Sequence, residues 1–302
     1  MQAPTTRHWL LLSYLVMAWG FAFYLIAVAL SGFEPVTVVW GRLTFGAVVM
    51  LVLLAWRGGQ LPRSWLWWRR LLLLSLTGNI LPFTLIAWAE QSVPSGEVGL
   101  LMALMPITIM LMGHYFLEHE RLTTLRIVGV FVGFGGVAVL LGNQIGTSTP
   151  AADGRLSGQI AAVLATFCYA ANGIYAKRLP SFDTLSISAG SLLVGSLLLV
   201  APAVLWQDWQ FAMGQSRAWL AVGVLGFFAT GVATWVYFTV VSEVGPGFLS
   251  TINYLIPALA FLVGVLALDE PAKWPQWSAL GLIIAGVWLI QPRASKVVHK
   301  PR

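Results

Sequence analysis

Ten apolar runs, most of them close to twenty residues long, leave this chain few ways to fold. In an α-helix, ~20 residues at 1.5 Å rise cross the ~30 Å hydrocarbon core of a bilayer. Inside lipid every backbone N–H and C=O needs a partner within the protein, so only helices or closed barrels span. The runs lack the period-two alternation of barrel strands, which leaves helices. Hydrophobic residues make up 58% of the chain and charged residues 9%, against ~25% charged in soluble domains. The expected fold is therefore an all-α integral membrane protein with about ten transmembrane helices. They run near 8–30, 35–56, 71–89, 96–120, 124–141, 156–175, 184–205, 219–241, 248–268 and 277–290. The first run is too long for the apolar core of a signal peptide and carries no convincing cleavage site, so it is expected to stay in the mature protein.

The order of features repeats. The fourth run starts after a small residue, carries Pro106 near its middle and closes at Glu120; the ninth carries Pro257 and closes at Glu270. The closing glutamates stand 150 positions apart, and at that offset Ser92 matches Ser242 and Gly136-Val137 matches Gly286-Val287. The prolines miss by one position. Two copies of one five-helix unit are expected, at 8–141 and 156–291, joined by a polar linker at 142–155 and followed by a basic tail at 292–302. Five spans is an odd number, so the second copy enters the membrane upside down relative to the first. Inverted repeats mark many secondary transporters, whose solute site lies between the repeats near mid-membrane.

Positive charge sets orientation. With the N-terminus inside, inner segments hold Arg7, Arg57, Arg63, Arg69, Arg70, Arg121, Arg126, Lys177, Arg178, Arg293, Lys296, Lys300 and Arg302, while outer segments hold only Arg155, Arg217 and Lys273. Both termini are expected in the cytoplasm and the 142–155 linker outside. The net charge of +6 then reads as a topology signal with some attraction for anionic membrane lipid, not as a nucleic-acid surface. The single cysteine, Cys168, permits no internal disulfide and no cysteine metal site.

Several residue groups resemble a known family. Trp19-Gly20, Gly41-Arg42-Leu43, and Pro106 followed by Leu117-Glu118-His119-Glu120-Arg121-Leu122 look like the EamA-domain pattern of the drug/metabolite transporter superfamily. The second copy carries Tyr169-Ala170 in place of Trp-Gly, then Pro257 and Asp269-Glu270-Pro271. The likeness runs from Trp9 to Ile290, and within the superfamily the chain is similar to the YddG-type exporters of amino acids. The resemblance implies a ten-helix basket in a bacterial inner membrane, with spans five and ten at the periphery. It further implies export of small metabolites, amino acid-like ones above all, by alternating access. It implies no cofactor, and it leaves the oligomeric state open, a monomer included.

Polar groups within the spans are the candidate solute contacts, because burying them in a bilayer is costly. Asn79 stands three residues before Pro82, which lacks an N–H and frees a carbonyl one turn back. It reads either as a grip for an α-amino or carboxylate group or as a kink bonded to a neighbouring helix. Asn253 stands similarly before Pro257. Arg42 lies about two turns inside span two, where it could bind a solute carboxylate, snorkel outward, or pair with Glu34, Glu90 or Glu97. Trp19, Phe83, Tyr169 and Trp235 belong to an aromatic stock that suits either a cavity wall or the membrane interface. Asn172 shares a helix face with Tyr169. Pro106 and Pro257 are gating candidates, each expected to bend its helix near mid-span.

His114 and His119 with Glu118 and Glu120 fit the charged end of a helix better than a metal site, since the histidines are five apart. No HExxH, GxSxG, Walker lysine motif or paired intramembrane aspartates occur. The alternatives to an amino acid exporter are an exporter of another metabolite or drug, and a polytopic membrane enzyme or sensor acting on lipids. An enzyme of that kind needs acids, His or Cys gathered at one level within the spans. This chain keeps nearly all of them at span ends.

Overall fold

The computed structural model of the protein describes residues 3–116, 123–142, 150–180 and 182–290. The 117–122 motif, residues 143–149 of the 142–155 linker and the tail from residue 291 lie outside the described residues. All regular structure among the described residues is helical. Among the described residues, eight helical stretches are long and apolar enough to cross a membrane, and two shorter apolar helices, Ile252–Ala267 and Trp274–Ile290, complete ten passes.

In chain order, α1 is Thr6–Leu30 and α2 is Pro35–Trp56, with Pro35 opening the helix where its missing N–H has no cost. The third pass begins as α3, Trp65–Ser75, widens into a π turn at Leu76–Ile80 and continues as α4, Leu81–Ala89. The cause is local. Pro82 cannot donate to the Gly78 carbonyl, and the Leu81 N–H bonds Leu76 O, five residues back. The fourth pass is broken into α5, Ser95–Met102, and α6, Met105–Phe116. The fifth, α7, is Thr124–Gly142.

The second half repeats this plan. The sixth pass, α8, runs Pro150–Lys177 and so begins inside the stretch expected as linker. The seventh, α9, is Thr184–Trp206, followed by the short surface helix α10, Trp209–Met213. The eighth begins as α11, Ser216–Gly226, opens into a π turn at Phe227–Val232 and continues as α12, Ala233–Glu243. The ninth is broken into α13, Pro246–Leu249, and α14, Ile252–Ala267, and the tenth is α15, Trp274–Ile290. Both halves therefore carry a π turn in their third pass and a break in their fourth.

The prolines do not both sit where a mid-helix kink was expected. Pro106 stands in the first turn of α6, just after the break at Ala103 and Leu104, where a proline starts a helix without losing a bond. Pro257 lies inside α14, past the break at Ser250 and Thr251.

Packing follows the same exchange. α2 lies against α9 and α7 against α15, which pairs equivalent passes of the two halves. α1 packs on α14 as α8 packs on α6, and α4 packs on α8 as α11 and α12 pack on α1. The α7–α15 pair is held by backbone proximity. A Cβ at Gly286 would lie 2.6 Å from the Gly133 nitrogen and 2.7 Å from the Gly129 oxygen. Small residues at such crossings let apolar helices gain dispersion contact where lipid provides no hydrophobic drive. Gly286→Ala must push the two backbones apart, an overpacking penalty of about 1–3 kcal/mol. Gly135, on α7 but with nothing within 4 Å of its added Cβ, gains up to ~1 kcal/mol of helix propensity from the same change. Thermal melting of the purified protein should drop by several degrees for Gly286→Ala and hold or rise for Gly135→Ala; equal shifts would contradict this packing.

Candidate functional site

A central cavity of about 570 Å³ lies between the two halves, within the range typical of small-molecule sites. Its wall is mostly apolar and aromatic, with a few polar groups set into it. Of the eight residues picked out from sequence as solute contacts, Trp19, Arg42, Asn79, Phe83, Tyr169, Asn172 and Asn253 line it, as do Pro106 and Pro257. Trp235 does not. Its neighbours Thr234 and Tyr237 face the cavity, while the Trp235 ring turns toward Arg57, whose guanidinium lies 6.0 Å from the ring centroid.

The non-α backbone is concentrated here. Gly78 and Asn79 of the first π turn, Ala229 and Thr230 of the second, Ala103 of one break and Ser250 of the other all reach the cavity. Side chains cover the carbonyls that this geometry exposes. Asn172 Nδ2 donates to Leu74 O at 3.3 Å, Trp19 Nε1 to Ala229 O at 3.0 Å, and the Thr230 hydroxyl to Leu225 O at 3.1 Å. Trp19 and Asn172 are thus committed in part to the scaffold. Asn79 and Asn253 make no side-chain hydrogen bond to another described residue, and their amides are open to the cavity.

Arg42 neither snorkels nor pairs with an acid. It is 7% exposed, its Nε donates to Thr230 Oγ1 at 2.8 Å, and its guanidinium stacks over Phe83 at 3.7 Å from the ring centroid. Glu97, one of the acids expected to meet it, is bound instead to Arg155 and Gln159. Among the described residues no ion pair forms to Arg42. The cation is oriented by one hydroxyl and one aromatic face, and its two terminal nitrogens have no partner among the described residues. Phe83 in turn meets Tyr169 edge to face at 6.4 Å, and Trp19 lies 5.9 Å from Tyr237. The arrangement offers a planar cation beside aromatic walls, suited to a carboxylate with an apolar body.

The two ends of the cavity differ. Toward the α8–α9 connection a second cavity of about 400 Å³ begins at Gly78, Asn79, Asn172 and Thr234 and reaches Leu179, Pro180 and Phe182. Toward the α4–α5 connection the halves are clamped. The Glu270 carboxylate accepts from the backbone N–H of Ser95 at 2.6 Å and of Gly96 at 2.8 Å, at the first turn of α5. A carboxylate at a helix N-terminus meets unpaired amides and the positive end of the dipole. Gly96 and Gly264 leave room for it, since a Cβ at Gly264 would fall 2.3 Å from Glu270 Oε2. Glu270 is visible in the sequence as a repeat marker, but nothing local points to its partners 175 residues away. Thr230, Thr234 and Ser250 were likewise not singled out, because lone hydroxyls in apolar runs carry no spacing signal. Among the described residues no group of three or more metal-ligating side chains occurs; His119, Glu118 and Glu120 lie outside them.

Comparison with known proteins agrees with this architecture. The model of the EamA-like transporter family matches residues 7–142 and 156–291. The chain is 25% identical over 280 residues to the uncharacterized inner membrane transporter YedA of Escherichia coli (strain K12), covering 91% of this chain and 88% of that protein. It is 28% identical to a probable terminal-alkyne amino-acid exporter of Streptantibioticus cattleyicolor, covering 92% and 91%. It is also 28% identical to the aromatic amino acid exporter YddG of Ancylobacter novellus, over 66% and 67%. A protein of known crystal structure superposes with a TM-score of 0.66 at 23% identity, covering 95% of this chain and 96% of its own. With both halves of the chain matched, this protein belongs to the EamA-like transporter family and is a multi-pass membrane transporter, not an enzyme.

Proposed function

We propose that this transporter exports amino acids, with aromatic and other apolar ones preferred, across the inner membrane by alternating access. The observation that carries this reading is the Arg42 guanidinium, buried in an aromatic-walled cavity with no carboxylate partner. A buried charge without a counter-ion is unfavourable, and a solute carboxylate supplies the missing ion. Phe83, Tyr169, Trp19 and Tyr237 offer contact to an apolar side chain, and the free amides of Asn79 and Asn253 can accept from an α-ammonium. The exporter names of two relatives point the same way.

In this reading both termini and the α8–α9 connection face the cytoplasm, an orientation supported by the charge asymmetry. The cavity then reaches the cytoplasmic side and is shut on the other by Glu270. The breaks beside Pro106 and before Pro257 serve as hinges, since a segmented helix swings with little loss of hydrogen bonding.

Proteoliposomes should take up labelled phenylalanine and tryptophan in exchange for internal unlabelled solute. Arg42→Gln should lower apparent affinity at least tenfold, as expected when one partner of a charge-assisted contact, about 2–5 kcal/mol, is removed. Thr230→Val, which frees the guanidinium to wander and uncaps the Leu225 carbonyl, should cost several-fold. Undiminished amino acid exchange by a well-folded Arg42→Gln protein would overturn the site assignment.

Sidedness has its own test. In a Cys168→Ala background, a cysteine replacing the cavity residue Met102 should react with an impermeant thiol reagent applied from the α8–α9 side. From the α4–α5 side it should react slowly, and Glu270→Gln should raise that rate several-fold by weakening the clamp. Equal reactivity from both sides before the substitution would rule out the seal.

A further inference from the structure

Glu90 closes α4 with its backbone still helical, and its N–H bonds Ile86 O at 3.0 Å. It therefore extends the helix stripe formed by Phe83 and Ile86, both of which face the cavity. Both of its carboxyl oxygens are buried, and neither has a hydrogen-bond partner among the described residues. A bare carboxylate is strongly disfavoured in such a place, and taking up a proton is the usual resolution. Two charges of opposite sign influence it electrostatically, Arg42 of α2 and Glu270 of the α14–α15 connection. On α8, the helix packed against α4, Arg155 is bonded to Glu97 of α5. Burial, and then the neighbouring Glu270 charge, push Glu90 well above the usual carboxylate range, with Arg42 pulling the other way.

We propose that Glu90 is a proton-binding site whose charge state decides whether Arg42 is free to hold a solute carboxylate. The proposal rests on the reading that the solute carries such a group. Neutral Glu90 leaves the guanidinium open. Ionised Glu90 competes for it. While the Glu270 clamp is shut, Glu90 is dry and keeps its proton, and the solute can load on Arg42. When the clamp opens, water reaches Glu90, the proton passes to that water, and the new carboxylate displaces the solute toward the same side. No other bond is made or broken. The sign follows from linkage: a bound carboxylate screens Arg42 and raises the proton affinity of Glu90 further. Solute affinity is therefore full below the proton affinity range of the free protein. It falls by up to about tenfold per pH unit as pH rises from there to the value in the complex.

Two measurements on the purified full-length protein test this. Calorimetric titration with L-phenylalanine in buffers of different ionisation enthalpy should show net uptake approaching one proton per solute in that window. For Glu90→Gln, a neutral mimic of the protonated acid, uptake should vanish and affinity should lose its pH dependence. Infrared spectra of the solute-free protein at neutral pH should show the carbonyl stretch of a protonated buried carboxyl group, lost in Glu90→Gln. Proton uptake unchanged by Glu90→Gln, or a carbonyl band that is absent or survives the substitution, would overturn the proposal. If phenylalanine fails to bind while the band is present and lost in Glu90→Gln, the proton site stands and the solute class proposed above falls.

Discussion

A backbone amide or carbonyl inside a bilayer must find its partner within the protein, and this requirement shapes both the fold and the site. It forces the long apolar runs into helices, and it tolerates departures from α geometry only where something other than lipid can satisfy the freed groups. Among the described residues the departures within the passes are two π turns, Leu76–Ile80 and Phe227–Val232, and two breaks, at Ala103–Leu104 and Ser250–Thr251. All four contribute to one cavity. The hydroxyl, amide and indole groups of Thr230, Asn172 and Trp19 spend their donors on the carbonyls thereby exposed. Among the described residues, the terminal nitrogens of Arg42 and the side-chain amides of Asn79 and Asn253 remain without a protein partner, which is why they carry the proposed solute site.

The second organising feature is that each half supplies what closes the other. The α5 helix of the first half receives its capping carboxylate from Glu270 of the second. Asp269 adopts a left-handed φ of 53° to turn the chain there, a conformation uncommon for a residue with a side chain. The Glu270 amide bonds back to Gly264 O, so the carboxylate is aimed before it meets α5. A clamp made of two short charge-assisted hydrogen bonds is strong when dry and weak once wet. That contrast suits the opening and closing proposed for this end of the cavity.

Much of this architecture was legible in the sequence, for a physical reason: lipid imposes one length and one polarity on every pass. The second span runs over Pro35–Trp56 as expected, and the others differ by a few residues at their ends. The first π turn could be anticipated from Pro82, whereas the second has no proline and left no trace. Arg42 stood out by depth alone, but whether it met an acid depended on Thr230, 188 residues away. Trp235 was indistinguishable from its aromatic neighbours until the helix phase of α12 was known. Glu90 and Glu97 looked alike at the membrane edge, yet among the described residues packing gives Glu97 three partners and Glu90 none.

If the interruptions in the helices exist to serve a solute cavity, their amides should betray it. Hydrogen–deuterium exchange on the protein in nanodiscs, with and without L-phenylalanine, examines this directly. The amides of the two π turns and the two breaks should exchange faster than those of the flanking helical turns, and phenylalanine should slow all four sites together. Uniform protection along the third, fourth, eighth and ninth passes, unchanged by phenylalanine, would contradict the account.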